Sequence, residues 1–187
     1  STDNHVFNGE IEKFKARICV LGFRQKQGLD FNPDQVYAPM TEPTTIRLLL
    51  AIANKLDLNI DHLDIKTAFL NGILPPEEQF YCSPPPGLSI APGYCWKMLR
   101  GLYGAHQSGA IWAQTWRNWL HQHAPDFKEA GSERCFFVKR EHADGTCVDL
   151  DELRDITLEP GERLVILVMN TDDLLVLYID SARAIVD

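Results

Sequence analysis

The chain has 187 residues, of which 45% are hydrophobic and 24% are charged, and its formal net charge is −8. This length allows one large domain or two small subdomains, and the apolar fraction is sufficient for a hydrophobic core. No apolar run reaches the roughly 18–20 residues of a membrane span, and the five cysteines form no C-x-x-C pair, which argues against a zinc site or a disulfide framework.

The negative charge is concentrated in the last quarter of the sequence. Residues 1–140 contain 15 Lys and Arg against 14 Asp and Glu, whereas residues 141–187 contain 3 against 12. Proteins that bind nucleic acids are usually basic over the binding face. The near-neutral first three quarters remain compatible with such a function, and most of the acidic excess belongs to an expected insertion at about residues 142–160.

The first part of the chain predicts a lead-in, a strand and a helix. Residues 1–12 have no periodicity and are expected to be mobile. Lys13–Phe23 alternates as a strand does, and a glycine-containing turn follows it. Pro43 suits the first turn of a helix that ends near residues 55–57. The predicted apolar face of this helix contains Ile46, Leu49, Leu50 and Ala53.

The middle of the chain predicts three strands and a second helix. A strand begins at Asn59 and ends at Asp64 or Ile65, and shorter strands are predicted over Gln79–Cys82 and Tyr94–Leu99. The helix begins near Gln107 and runs to about His121. A tryptophan stripe at helical spacing usually packs into a core, and this one contains Trp112, Trp116, Trp119, Leu120 and His123.

The last part of the chain predicts a strand, an acidic segment and a hairpin. The strand includes Cys135–Val138 and ends at a turn over His142–Gly145. The acidic stretch Val148–Asp155 forms either a short helical turn or a flap. Leu164–Met169 and Leu174–Ile179 have the length and composition of buried strands, and the polar residues between them predict a tight turn.

The hairpin and the middle strand together indicate a polymerase site. Asp172 and Asp173 lie at the hairpin tip and Asp64 lies at a strand end. Adjacent carboxylates repel each other unless a cation joins them, and Mg²⁺ binds carboxylate oxygens together with substrate phosphates. Two such ions about 3.5–4 Å apart can clamp the attacking and leaving oxygens of phosphoryl transfer. The alternative is an ordinary acidic turn between strands.

Six segments in sequence order carry a resemblance to a known family. They are Phe14–Asp30 (FKARICVLGFRQKQGLD), Val36–Leu50, Leu63–Gly72 (LDIKTAFLNG), Pro84–Gly87, Leu99–Gly104 (LRGLYG) with Gln107-Ser108 after it, and Thr171–Leu175 (TDDLL). Together, from about residue 13 to residue 180, they resemble the reverse transcriptase of copia-type LTR retrotransposons.

The resemblance implies an α+β fold with the fingers and palm of a reverse transcriptase. The fingers would comprise about residues 1–58 and 72–106, and the palm about residues 59–71, 107–140 and 163–180. The palm would be a ferredoxin-like antiparallel sheet backed by helices. Because the sequence stops at Asp187, the domain at 13–187 is expected to be truncated before the thumb.

The resemblance also implies the site residues. Asp64, Asp172 and Asp173 would be the catalytic residues and the ligands of two Mg²⁺ ions, which Mn²⁺ can replace. Substrate-binding roles fall to four residues, for which a solvated or core position is the alternative. Lys15 and Arg17 would bind the triphosphate, Phe69 would be a steric gate against the ribose 2′-hydroxyl, and Gln107 would contact the nucleotide and the template base.

The implied activity is RNA-directed DNA polymerisation within a retrotransposon polyprotein, by two-metal nucleotidyl transfer. The partners would be an RNA template, a DNA primer and deoxynucleoside triphosphates, with a thumb and RNase H from a longer polyprotein and no membrane. The polar, acidic start lacks a secretory signal, so an intracellular location is expected, in a cytoplasmic virus-like particle or the nucleus. Asn170 stands where the family has Tyr, and Gly109 where it has Pro. A degenerate, non-catalytic remnant that serves in binding or assembly is the alternative.

Overall fold

The computed structural model describes residues 2–7, 10–130, 134–148 and 157–186. Its helices are α1 (Pro43–Leu56), α2 (Ala68–Asn71), α3 (Ser108–His123) and α4 (Arg183–Val186). Its strands are β1 (Thr2–Phe7), β2 (Glu10–Ala16), β3 (Asn59–Asp64), β4 (Tyr81–Cys82), β5 (Trp96–Lys97), β6 (Lys128–Glu129), β7 (Phe136–Glu141), β8 (Arg163–Asn170) and β9 (Asp173–Tyr178). No described helix combines the length and apolar character that crossing a membrane requires.

A five-stranded sheet in the order β3-β9-β8-β7-β6 is the main feature of the fold, and its neighbouring strands are antiparallel. Leu164–Met169 of the central strand β8 is buried on both faces. A central strand covered on both faces needs an unbroken apolar run, and the sequence provides one. The two predicted hairpin strands are confirmed, and they lie side by side in the middle of the sheet.

Helix α1 covers one face of this sheet. Leu49 and Ala53 are almost fully buried and belong to one cluster with Leu164, Ile166 and Val168 of β8. Ile52 and Leu56 pack against the same cluster, whereas Leu50 is 44% exposed. The helix is confirmed, but its buried face starts from Leu49 rather than Ile46, because positions 49, 52, 53 and 56 are the ones that share the sheet-facing side.

The chain divides into two compact units, each described separately. The sheet unit comprises Ala38–Ala68 and Ala113–Asp187, and the second unit comprises Ser1–Tyr37 and Phe69–Trp112. Helix α1 belongs to the sheet unit because it packs on β8. The expectation that residues up to 58 group with the fingers segment therefore differs from the observed division. Two small antiparallel sheets, β1-β2 and β4-β5, belong to the second unit.

The first residues of the chain, where a lead-in over residues 1–12 is expected, include a paired strand. Thr2–Phe7 pairs antiparallel with Glu10–Ala16, with an irregular register between His5 and Val6. Pairing gives the backbone N–H and C=O groups of both segments hydrogen-bond partners. The overlooked sequence signal is the Asn-Gly dipeptide between the two segments, which two-residue hairpins favour.

Helix α3 is confirmed, but its tryptophan stripe is only partly core. Trp112 is 5% exposed and Leu120 is 2% exposed. Trp119 is 50% exposed and stacks against Trp116 and His123. The expected turn after β7 is present, where the N–H of Gly145 donates to the carbonyl of His142 at 2.9 Å. Apart from Val148, the acidic stretch that follows lies outside the described residues.

Candidate active site

Asp64 and Asp173 lie directly opposite each other on neighbouring antiparallel strands. Asp64 is the last residue of β3 and its register partner is Asp173, the first residue of β9. The N–H of Ile65 donates to the carbonyl of Asp172 at 2.7 Å, so the neighbouring pair, Ile65 and Asp172, is a hydrogen-bonded pair. Asp64 and Asp173 therefore form a non-hydrogen-bonded pair, the kind whose side chains share a face and approach most closely.

Asp172 lies in the two-residue loop that connects β8 to β9. The strands pair up to Asn170 and Asp173, which leaves Thr171 and Asp172 as the loop. Through its carbonyl, Asp172 is also tied to the end of β3. The hairpin and the end of β3 thus bring the three aspartates predicted from the sequence to one corner of the sheet, where all three side chains are exposed.

Backbone strain occurs on both segments that carry these aspartates. Thr171 precedes Asp172 with a φ of 62°, and Thr67 follows the end of β3 with a φ of 54°. A β-branched residue rarely adopts this left-handed conformation, because its Cβ crowds the backbone. Such strain concentrates at functional sites, and here both threonines are within three residues of a predicted catalytic aspartate.

His62 contacts the aspartate pair from its own strand. It lies two residues before Asp64, so both side chains are on one face of β3. Its Nε2 lies 2.8 Å from Oδ1 of Asp173, and both side chains are more than half exposed. The imidazole N–H donates to the carboxylate and fixes one of its oxygens. His62 is not among the residues predicted from the sequence, although its period-two spacing from Asp64 was the available signal.

The aspartates suit a hard cation, but they do not form a closed ligand set. In the described residues, the one group of three with ligand atoms mutually within 4.8 Å is Asp126, Glu141 and Cys147. Mg²⁺ is commonly held by one or two carboxylates with substrate phosphates rather than by an all-protein cage. Exposed aspartates that meet at one sheet corner provide donors of this kind, so the residues fit the ion.

The group of Asp126, Glu141 and Cys147 already contains a cation from the chain itself. Nζ of Lys139 lies 3.3 Å from Asp126 and 2.7 Å from Glu141. Arg163 adds a second positive charge, 3.2 Å from the other oxygen of Glu141. The two carboxylates are thereby neutralised, and the group requires no metal ion.

Phe69 and Arg17, two of the predicted substrate-binding residues, contact the same ring in the second unit. The rings of Phe69 and Tyr103 meet edge to face, with centroids 5.2 Å apart. The guanidinium carbon of Arg17 lies 5.9 Å from the centroid of the Tyr103 ring. Lys15 lies in β2, and its side chain is outside the described part of the structure.

Gln107, the fourth predicted substrate-binding residue, is fully buried within the second unit. Its Nε2 donates to the carbonyl of Asp30 at 3.0 Å and lies 3.5 Å from the carbonyl of Glu78. Its Oε1 accepts from Nε2 of Gln25 at 3.0 Å, and Oε1 of Gln25 in turn accepts from the N–H of His106. In this conformation the amide of Gln107 connects the loop at residues 25–30 to the start of α3.

Glu78 is a buried carboxylate with no role in the predicted site. It is 8% exposed, and its Oε2 has no hydrogen-bond partner among the residues that the structure describes. Burial, together with the nearby charge of Glu77, raises the pKa of Glu78 above its ordinary value. A carboxylate in such a position is a local cost to stability.

Comparisons with known proteins found a matching family model and several relatives. A family model described as reverse transcriptase (RNA-dependent DNA polymerase) matches residues 4–177. The chain is 35% identical over 133 residues to the retrovirus-related Pol polyprotein from transposon TNT 1-94 of Nicotiana tabacum, an alignment that covers 70% of the chain and 10% of that protein. It is 33% identical over 121 residues to the corresponding polyprotein from transposon RE1 of Arabidopsis thaliana, covering 64% of the chain and 8% of that protein.

A relative from yeast shows the same partial coverage. The chain is 33% identical over 128 residues to the transposon Ty1-NL2 Gag-Pol polyprotein of Saccharomyces cerevisiae, which covers 66% of the chain and 7% of the relative. The chain thus spans about a tenth or less of the length of the curated relatives it matches. No solved structure matches the chain at a significant level.

Proposed function

From the premise that this chain belongs to the reverse transcriptase (RNA-dependent DNA polymerase) family and is of the copia type, we propose that it catalyses RNA-directed DNA synthesis as part of a retrotransposon polyprotein. The substrates are an RNA template, a DNA primer and deoxynucleoside triphosphates. The 3′-hydroxyl of the primer attacks the α-phosphate, a new phosphodiester bond forms, and pyrophosphate leaves.

The observation that carries this proposal is the pairing of Asp64 with Asp173 beside Asp172. Like charges directly opposite each other on neighbouring strands destabilise a sheet. The three side chains are exposed, and in the described part of the structure only Asp173 has a side-chain partner, His62. A cation that binds together with the substrate would relieve this repulsion, so the destabilising pair would serve as a binding site.

Asp64 and Asp172 would hold two Mg²⁺ ions, or Mn²⁺ in their place, and Asp173 would assist or orient them. When bound, the ions supply charge stabilisation at the attacking and leaving oxygens. The chain's own part is to present carboxylates from a rigid hairpin and from the end of a paired strand. His62 would keep one oxygen of Asp173 occupied and so direct the other oxygen toward the site.

The two compact units correspond in this proposal to the palm and the fingers. The sheet unit would be the palm, with α1 packed on the sheet and the aspartates at the corner of the sheet. The second unit would be the fingers, in which Lys15 and Arg17 bind the triphosphate and Phe69 excludes the ribose 2′-hydroxyl. Gln107 would support the same site, and its buried amide assigns it a bracing role in this conformation.

The hairpin remains regular although Asn170 stands where the family has Tyr. Asn170 pairs with Asp173 in unbroken register with the rest of β8 and β9. The substitution therefore leaves the position of Asp172 and Asp173 intact. No described contact favours the alternative of a non-catalytic remnant.

Single-turnover primer extension with the full chain tests the proposed function. The assay uses an RNA template, an annealed DNA primer and one deoxynucleotide, with Mg²⁺ and separately with Mn²⁺. We expect extension by the native chain and none by Asp172→Asn, while Asp34→Asn, an exposed aspartate of the second unit, extends normally. Absence of extension with either ion, from a chain whose fold is verified by a cooperative melt, would refute the proposal.

A further inference from the structure

We propose that Tyr103 is a specificity-determining residue, which sets the sugar selectivity of the nucleotide site by positioning Phe69 and Arg17. This inference rests on the proposed function, because it concerns the same nucleotide. Tyr103 belongs to the segment Leu99–Gly104, and its ring contacts both Phe69 and Arg17.

Tyr103 contacts Phe69 ring to ring. The two rings cross at 73° with centroids 5.2 Å apart, which is the edge-to-face geometry that aromatic pairs prefer. A steric gate can discriminate between two sugars that differ by one oxygen only if its ring cannot move aside. The Tyr103 ring restricts the Phe69 ring in this way, so the precision of the gate depends on Tyr103.

Tyr103 also contacts Arg17. Its guanidinium carbon lies 5.9 Å from the centroid of the Tyr103 ring, within the range of a cation–π interaction. Arg17 is half-buried, and the contact with the Tyr103 ring contributes to fixing this long side chain. The Tyr103 ring thus contacts both Arg17, which is proposed to bind the triphosphate, and Phe69, the proposed sugar gate.

Hydrogen bonds restrain the loop that carries Tyr103. Its carbonyl accepts a hydrogen bond from the N–H of Val20 at 2.7 Å. Oγ of Ser108 accepts from the N–H of Leu102 at 2.9 Å and donates to the Leu102 carbonyl at 2.8 Å. The position of Tyr103 is therefore fixed by hydrogen bonds from Val20 and by the start of α3.

The glycines on either side of Tyr103 allow this loop to approach its neighbours. A Cβ at Gly101 would lie 2.5 Å from the carbonyl oxygen of Phe69, a distance that a real side chain does not tolerate. Gly104 has a φ of 88°, and a Cβ there would collide with the carbonyl of Val20. The segment Gly101–Gly104 is thus packed against the backbones of both Phe69 and the stretch that follows Arg17.

The ring of Tyr103, rather than its hydroxyl, is the part that acts. Among the described residues the hydroxyl has no hydrogen-bond partner, whereas the ring makes both aromatic contacts. Substitution to Phe keeps the ring and removes the hydroxyl, and substitution to Leu removes the ring. These two variants separate a positioning role of the ring from a direct polar contact with the nucleotide.

The test compares dGTP with GTP in single-nucleotide incorporation on a poly(rC) template with an oligo(dG) primer. Phe69→Val provides the reference for a lost gate, and thermal melts verify the fold of each variant. Because an aromatic pair contributes a modest free energy, we expect Tyr103→Leu to lower the preference for dGTP by about two- to tenfold. We expect Tyr103→Phe to retain the native preference. If Tyr103→Leu does not fold, Tyr103→Met replaces it, since Met fills a similar volume without a planar ring.

Equilibrium binding of dGTP and GTP by the native chain and its variants, in the presence of Mg²⁺, provides a readout that does not require turnover. A native preference in either assay, left unchanged by Tyr103→Leu and Tyr103→Met, would overturn the role of Tyr103 while leaving the proposed function intact. A Tyr103→Phe variant that loses the preference would overturn the ring-based mechanism. A native chain that neither binds nor incorporates either nucleotide would overturn both proposals together.

Discussion

Asp64 and Asp173 face each other across β3 and β9 as a non-hydrogen-bonded pair, although they are far apart in the sequence. The register that joins them is specified by the sheet, because a one-residue slip would turn the apolar side chains of β9 to the opposite face. The packing of Leu175 and Leu177 into the α1-facing core therefore also fixes the position of Asp173.

Substitution of Asp64 tests whether the pair of Asp64 and Asp173 destabilises the fold when no metal ion is bound. In metal-free buffer we expect Asp64→Asn to raise the free energy of unfolding by about 0.2–1 kcal/mol, because a like-charged cross-strand pair is removed. Urea unfolding measures this difference, and Asp34→Asn is the control for a general change in net charge. Added Mg²⁺ should stabilise the native chain more than the variant. A variant that is clearly less stable without metal would assign Asp64 a structural role.

Substitution of Gln107 tests its bracing role. Gln107→Leu leaves Gln25 and the carbonyl of Asp30 without their partner, and we expect it to lower the free energy of unfolding by about 1–3 kcal/mol. Hydrogen exchange should increase at the backbone N–H groups of residues 25–30. Gln114→Leu is the matched control on α3, the helix that follows Gln107, because Gln114 is exposed and its side chain bonds to Asn118. Equal stability of the two variants would contradict the bracing role.

Much of the fold could be predicted because long apolar runs determine it. The runs that became β8 and β9 were predicted within one residue at each end, and β3 and α1 were equally clear. The strand β1 was missed because residues 1–12 show no periodicity and the Asn-Gly dipeptide between the two segments was overlooked. The buried face of α1 was misassigned because it is set by contact with β8, which a single helix does not reveal.

The site could be predicted in part for a related reason. The aspartates were found from their positions at a strand end and a hairpin tip, both of which are local signals. The contacts of His62 and Tyr103 were not found, since they depend on register and on loop packing. The environment of Gln107 was equally hidden, because its partners Gln25, Asp30 and Glu78 are distant in sequence.

Glu78 provides a prediction about pH and stability. Burial and the charge of Glu77 raise its pKa in the folded protein, so the folded state binds the proton more tightly than the unfolded state. The stabilisation from the protonated form is complete at pH values below the unfolded pKa and is lost as the pH rises through the raised, folded pKa. Glu78→Gln should therefore exceed the native stability at neutral pH by about 1 kcal/mol, and the advantage should disappear in acid.

The control for this experiment is Glu77→Gln, which removes the neighbouring exposed carboxylate. It should lower the raised pKa of Glu78 only slightly, because the larger cause is burial. Unfolding curves at several pH values measure both variants. An advantage of Glu78→Gln that grows toward low pH would have the wrong sign and would reject the interpretation.

Glu162 and Arg140 form a buried ion pair on the sheet unit, and they provide the opposite pH dependence. Glu162 is 3% exposed and Arg140 is 8% exposed, and Nε of Arg140 donates to Oε2 of Glu162 at 3.1 Å. Nη2 of Arg140 also donates to the carbonyl of Thr157, and the N–H of Glu159 donates to Glu162. The pair therefore holds the start of β8 and the segment before it against β7.

The pKa of Glu162 follows from these contacts. Burial acts to raise it, but the hydrogen bonds from Arg140 and Glu159, with the positive charges of Arg140 and His142, lower it below its ordinary value. For a carboxylate with a lowered folded pKa, the stabilisation is present above the unfolded pKa and is lost as the pH falls through the folded pKa.

We expect Glu162→Gln to lower the free energy of unfolding by about 3–5 kcal/mol at neutral pH, because Arg140 keeps a buried charge without a partner. The deficit should shrink as the pH is lowered and Glu162 of the native chain takes up its proton. The double variant Arg140→Met with Glu162→Leu should recover most of the loss, since no charge then remains buried. Unfolding measured from neutral to acidic pH for the native chain and both variants checks this, and a pH-independent deficit would show that the loss comes from packing rather than charge.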